Sequence, residues 1–129
     1  MPYLSKLSFS LSGVSQKDFD LIEIKKFYNS WSWRKVSKAY RAEHPLCAEA
    51  MRQKKATGFD HVRHAQVVDH IIPIRFGGSR WDERNFQSLS RRNHQIKTAE
   101  ERDAPIYQFE KNKHGDLIPL FFNGQPLPA

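Results

Sequence analysis

The residues of this chain best equipped for chemistry are an acid, two histidines and an asparagine: Asp69-His70, then Asn85, then His94. They lie in VVDHIIPIRFGGSRWDERNFQSLSRRNHQIKTAE, residues 67–100. Hydrolysing a phosphodiester needs a water deprotonated near neutral pH, charge neutralised on the phosphate, and a stabilised departing oxygen. A histidine, with an unperturbed pKa of about 6.5, suits the first task. A divalent metal suits the other two as a Lewis acid. A carboxylate plus an imidazole, as in Asp69 and His94, leaves most of a metal's coordination sphere open to water and phosphate oxygens. Neighbours on a strand face opposite ways, so Asp69 and His70 can serve different jobs, Asp69 toward the metal and His70 toward the attacking water. Asn85 carries a donor and an acceptor on one amide, so it can tie back the long loop and fix His70 for proton transfer.

These residues need a strand, a loop, a second strand and a helix to hold them. Residues 65–69, with β-branched Val67 and Val68, read as a short strand that Asp69-His70 closes. Residues 71–81 form a loop broken by Pro73 and Gly77-Gly78. Residues 86–89 form the second strand, with Asn85 just before it. Ser90 caps a helix that runs through His94 to about 102 or 103, where Pro105 stops it. Folded as a compact finger, this brings Asp69 and His94 together from two elements.

The flanks read more simply. Residues 18–28 allow a helical face of Phe19, Ile22 and Phe27. Ser30 caps a helix over 31–43 with Trp33, Val36, Ala39 and Tyr40 on one stripe and Arg34, Lys35, Lys38 and Arg41 outside it. Both tryptophans are expected in the core, with base stacking by Trp31 as the alternative. Pro45 ends this helix, and residues 46–64 read as a turn, a polar stretch and a second turn at Thr57-Gly58. Residues 106–122 read as a β-hairpin with a loop at 111–116 that exposes His114. Residues 1–17 form a loose arm, and the chain closes on a Pro-rich tail.

The 129 residues fit one domain. Lys and Arg number 21 against 14 Asp and Glu, a net charge of +7 that points to a polyanionic partner, most simply nucleic acid. Arg75, Arg80, Arg84, Arg91, Arg92 and Lys97 surround the constellation, with Arg75, Arg91, Arg92 and Lys97 the foremost candidates for DNA phosphates. Asp82, Glu83 or Glu100 can claim some of them. The single cysteine, Cys47, excludes an internal disulfide and a zinc site of four thiolates. No run has the apolar length of a signal peptide core or a membrane span, so no membrane partner and a cytoplasmic location are expected.

The run DHIIP, the Gly77-Gly78 loop, Asn85 before a short apolar strand, and LSRRNHQIKT resemble the HNH endonuclease family over about 35 residues. The HPLC segment resembles phage-type members and extends the likeness upstream to about Trp31. The resemblance implies an α+β fold with a ββα-metal (His-Me finger) core. Its finger would be residues 65–103, inside a core of 31–103, with N-terminal helices and a C-terminal β-hairpin and tail at 104–129. It implies a DNA nuclease using one divalent ion, Mg²⁺ first, with Mn²⁺, Ni²⁺ or Zn²⁺ as alternatives. It implies His70 as general base, Asp69 and His94 as metal ligands, and Asn85 as the structural middle residue. The phage-type likeness implies a place in phage or prophage DNA processing, or in packaging beside a terminase, within a bacterial or phage-infected cell.

One departure stands out. Many relatives carry two CxxC pairs around the finger; here those positions read Cys47-Ala48-Glu49-Ala50 and Ser90-Arg91-Arg92-Asn93. With three of the four cysteines absent, no structural zinc is expected, and Ser90 capping and the apolar hairpin are candidates to replace it. A remnant zinc site of Cys47 with His44, His61 or His64 is the alternative to a buried free thiol. Two other functions stay open: a non-catalytic DNA-binding module that keeps the finger, and a toxin-type nuclease domain.

Overall fold

Two helices, a third short helix, a β-hairpin with a helix behind it and a second small sheet follow one another along the chain. The computed structural model describes residues 16–60, 62–101, 108–122 and 125–126. The expected arm, His61, the expected helix end with Pro105, and the last of the tail lie outside the described residues. The architecture is mixed α+β with two antiparallel sheets. Among the described residues no helix is long and apolar enough to cross a membrane.

Helix α1 (Gln16–Tyr28) and α2 (Trp31–Glu43) meet at Ser30. Its hydroxyl accepts from Trp33 N at 3.2 Å and donates to Phe27 O at 2.6 Å, so one side chain starts α2 and ties it to the end of α1. The inward stripe of α2 is Trp33, Val36 and Tyr40, packed with Phe27, Phe86, Val68 and Ile74. Ala39 is exposed. Trp31 is also outside the core, 73 % exposed, with Lys35 Nζ 5.0 Å from its ring centre. Two residues advance about 200° around a helix, so Trp31 and Trp33 cannot share a face.

Residues 48–57 depart from the polar stretch expected there. They form α3 (Ala48–Thr57), closed by Gly58 in the left-handed region at φ 76°. The segment AEAMRQKKAT is rich in strong helix formers. It buries only Ala50, so it has no apolar stripe to announce it. Ala50 joins Cys47 and Leu89 in a second small core with Ala48 and Val67.

The central hairpin pairs β1 (Val67–His70) with β2 (Phe86–Leu89), placing Asp69 opposite Gln87 and His70 opposite Phe86. Helix α4 (Arg91–Glu100) follows at once, its first turn capped by Ser90 Oγ on Asn93 N at 3.2 Å. The four positions of the expected cysteine pairs converge here. Cys47 Sγ lies 3.2 Å from Asn93 Nδ2 and 3.7 Å from Ser90 Oγ, beside Ala50. Burial opposes ionisation of this thiol, but hydrogen bonds from Asn93, Ser90 and Ala50 outweigh it and hold its pKa below the usual value. His44, one proposed zinc partner, instead stacks on Tyr40 at 4.3 Å.

The second sheet runs β3 (Gln108–Lys111), β4 (Leu117–Phe122), β5 (Gln125–Pro126). It grips the glycine loop: Leu117 N donates to Gly77 O at 2.9 Å, and Ser79 N to Leu117 O at 3.0 Å. Between these bonds Gly78 runs hard against the chain. A Cβ there would stand 1.8 Å from Ile72 O and 2.9 Å from Asn85 Nδ2. Gly78→Ala therefore forces apart backbone and a buried amide, and is expected to cost about 3 kcal/mol in urea unfolding, the upper end for overpacking. A loss under about 0.5 kcal/mol, the scale of ordinary surface substitutions, would contradict this packing.

Candidate active site

Asp69 is buried on β1, and its two oxygens have separate surroundings. Oδ2 accepts from Gln87 Nε2 at 2.9 Å and pairs with Lys97 Nζ at 3.1 Å. Gln87 is the cross-strand partner of Asp69. Its amide is turned the right way by Arg52, which donates to Gln87 Oε1 at 2.8 Å while paired with Glu49 at 2.8 Å. Oδ1 faces His94 Nε2 at 3.5 Å. His94 comes from the first turn of α4 and keeps 40 % of its side chain exposed, so this edge of the carboxylate opens toward solvent.

Lys97 does not reach the surface as a phosphate contact. It lies one turn beyond His94 on the inward face of α4 and is 5 % exposed. Its ammonium pairs with Asp69 and with Glu101 Oε2 at 2.6 Å, and donates to His70 O at 3.2 Å. Burial still pushes the Asp69 pKa up, against the opposing pull of Lys97, Gln87 and His94; the nearby Glu101 charge adds to the rise. A metal held at about 2.0–2.2 Å by carboxylate oxygen and imidazole nitrogen spans a 3.5 Å gap between them. The donor pair thus fits one divalent ion. Among the described residues no third His, Cys, Asp or Glu joins it.

His70, the next residue, points into an aromatic box and is 2 % exposed. Trp33 stacks on the ring at 4.6 Å, with Phe27 at 5.7 Å and Phe86 at 5.3 Å. Nε2 lies 3.0 Å from Arg80 O, an atom that only accepts, so Nε2 carries the proton. Nδ1 is then the acceptor, and Tyr28 Oη donates to it at 2.9 Å. Burial pushes the His70 pKa down to about 4, helped by the Lys97 and Arg80 charges and opposed by the Arg80 carbonyl bond. The imidazole is therefore neutral near pH 7, in the tautomer a base at Nδ1 requires. It does not face open water, because the end of α1 closes over it.

Asn85 ends a short 3₁₀ turn, Glu83–Asn85, and is fully buried. Its Oδ1 accepts from Ile72 N at 2.8 Å; its Nδ2 donates to Ile72 O at 3.0 Å and Ser79 O at 2.9 Å. Its own carbonyl accepts from Ile71 N at 2.8 Å. Asn85 makes no bond to His70. It clamps both ends of the loop, and that closure sets the Arg80 carbonyl, next to Ser79, onto His70 Nε2.

The expected phosphate contacts separate. Arg91 and Arg92 are exposed in the first turn of α4, close in sequence to His94. Arg75 is half-buried, with its guanidinium 4.7 Å from the Phe76 ring centre. With Arg80 and Lys113 it lines an open groove of about 810 Å³ whose walls also carry Asp20, Glu23 and Asp116. This groove lies on the Arg80 side of His70 and does not include Asp69 or His94. Arg84 is occupied by Asp82 at 2.9 Å and Glu110 at 3.5 Å. Sequence reasoning missed Tyr28, Gln87 and Arg52. Only Gln87 had a usable signal, since pairing the two strands in register sets it opposite Asp69.

No protein-family model, curated protein or solved structure matches the chain.

The aromatic box yields a pH prediction. Unfolded, His70 takes up a proton near 6.5; folded, it refuses one until about 4. Its share of stability is therefore intact above 6.5 and lost as the pH falls toward 4. In an NMR titration the His70 ring signals are expected to stay those of the Nε2–H tautomer from pH 7.5 to 5. A midpoint near 6.5 would contradict the sealed geometry.

Proposed function

We propose that this chain is a metal-dependent endonuclease of the HNH type, hydrolysing DNA phosphodiester bonds on a ββα-metal finger of β1, β2 and α4. The observation that carries the reading is the approach of Asp69 Oδ1 to His94 Nε2 at 3.5 Å, next to a neutral His70 whose tautomer is fixed. Asp69 and His94 would hold one divalent ion, with Mg²⁺ the first choice and Mn²⁺, Ni²⁺ or Zn²⁺ the alternatives. When bound, it supplies Lewis-acid neutralisation of phosphate charge and of the leaving oxygen.

The chain's own groups supply the rest. His70 Nδ1 takes the proton of the attacking water, while the Arg80 carbonyl keeps the ring from turning. Gln87 and Lys97 hold Asp69 Oδ2, so Oδ1 stays directed at His94. Asn85 keeps the loop closed. Arg91 and Arg92, exposed in the first turn of α4, would contact DNA phosphates, which makes binding salt-dependent without reading sequence. The excess of +7 charge favours such a polyanion. Action in phage or prophage DNA processing, or in packaging with a terminase, inside a bacterial or phage-infected cell, rests on the likeness of the HPLC segment alone.

The second reading is a DNA-binding module without catalysis. The Tyr28 hydroxyl on His70 Nδ1 favours it, because the lone pair a base would use is filled. Supercoiled plasmid separates the two. The endonuclease reading expects nicking that EDTA abolishes, that one or more of Mg²⁺, Mn²⁺, Ni²⁺ and Zn²⁺ restores, and that His70→Ala lowers at least 100-fold, the low end for a lost general base. DNA binding without nicking under every metal would leave the binding module.

A further inference from the structure

The nitrogen of His70 that would accept the water's proton has no open approach. Nε2 is committed to the Arg80 carbonyl, so the ring cannot offer its other nitrogen. Trp33 stacks on the ring, and Phe27 and Phe86 pack against it. The Tyr28 hydroxyl sits on Nδ1 at 2.9 Å. Tyr28 is 38 % exposed whereas His70 is 2 % exposed, so the tyrosine stands between the imidazole and solvent. It is the last residue of α1, at the junction that Ser30 ties down. Arg80 is exposed, with its guanidinium 5.3 Å from the ring centre of Phe27, the residue before Tyr28.

We propose that Tyr28 is an autoinhibitory latch: its hydroxyl takes the place of the attacking water on His70 Nδ1, and a DNA phosphodiester drawn in at Arg80 displaces it. This rests on the endonuclease reading. The hydroxyl is a placeholder and not a nucleophile, since burial, with the Asp69 and Glu101 charges, raises its pKa and keeps it protonated. Opening breaks this hydrogen bond and the edge-on contacts of the Tyr28 ring with Phe27 and Trp33, at 5.3 and 5.9 Å. In the closed state His70 Nδ1 is covered, so an ion bound at Asp69 and His94 would not by itself release activity.

Two readouts test the latch on the metal-free and metal-loaded protein. Diethyl pyrocarbonate labels neutral, accessible imidazoles, and peptide mass mapping reports each of the six histidines separately. Tyr28→Ala is expected to raise labelling of His70 at least tenfold, with His44 and His114 unchanged. Tyr28→Phe keeps the ring and removes the hydrogen bond; its plasmid nicking is expected to rise about fivefold, the ratio that one ordinary hydrogen bond represents. Matched circular dichroism spectra and melting curves for Tyr28→Phe keep the test valid should Tyr28→Ala fold poorly. His70 labelling unchanged in Tyr28→Ala, or nicking lowered in Tyr28→Phe, would overturn the latch while metal-dependent nicking by the wild type upheld the enzyme. No nicking by any variant, with His70 labelling raised in Tyr28→Ala, would retain the cover over His70 and remove the endonuclease.

Discussion

The structure turns on one buried ammonium. Lys97 Nζ joins Asp69 and Glu101 and donates to the carbonyl of His70, so α4 and the end of β1 are held at one point. Two carboxylates and a lysine out of water are costly unless paired, and removing one partner of such a group costs about 3–5 kcal/mol. The arrangement therefore allows little freedom. Asp69 must present Oδ2 inward and Oδ1 outward, and His94, one turn before Lys97, must face that outward oxygen. The Glu49–Arg52–Gln87 chain fixes the same carboxylate from the α3 side.

A second constraint works through backbone rather than charge. Asn85 and Gly78 close the loop between the strands so tightly that no side chain fits at position 78. The closed loop delivers the Arg80 carbonyl to His70. The aromatic box then strips the imidazole of water and holds it neutral. Where two pairs of zinc-binding cysteines would be expected from the family resemblance, a thiol, a methyl, a hydroxyl and an amide pack together instead. They use weak hydrogen bonds and a capped helix to join α3 to α4.

Much of this was legible in the residues. Ser30 and Ser90 announced the starts of α2 and α4, the β-branched pair Val67-Val68 announced β1, and the polar loop at 111–116 marked the turn between β3 and β4. Asp69, His70, Asn85 and His94 stood out because their types suit hydrolysis. What was hidden depends on contacts distant in sequence. Helix α3 has no apolar stripe, so its periodicity was silent. Lys97 looked like a surface cation until the burial of Asp69 and Glu101 gave it inward partners. Tyr28 lies 42 residues before His70, and nothing local in its sequence says what its hydroxyl meets. The partner of Asn85 also differs from a direct hold on His70, because its amide satisfies buried loop backbone that no sequence pattern displays.

The proposed endonuclease depends on Asp69 and His94 sharing one divalent ion. Titration of the metal-free protein with Mn²⁺, followed by calorimetry and by paramagnetic broadening of histidine ring signals, addresses it directly. The account predicts one Mn²⁺ per chain, broadening strongest at His94, and loss of binding in both Asp69→Asn and His94→Ala. Stoichiometric binding that survives both substitutions, or no binding by the wild type at millimolar Mn²⁺, would contradict it.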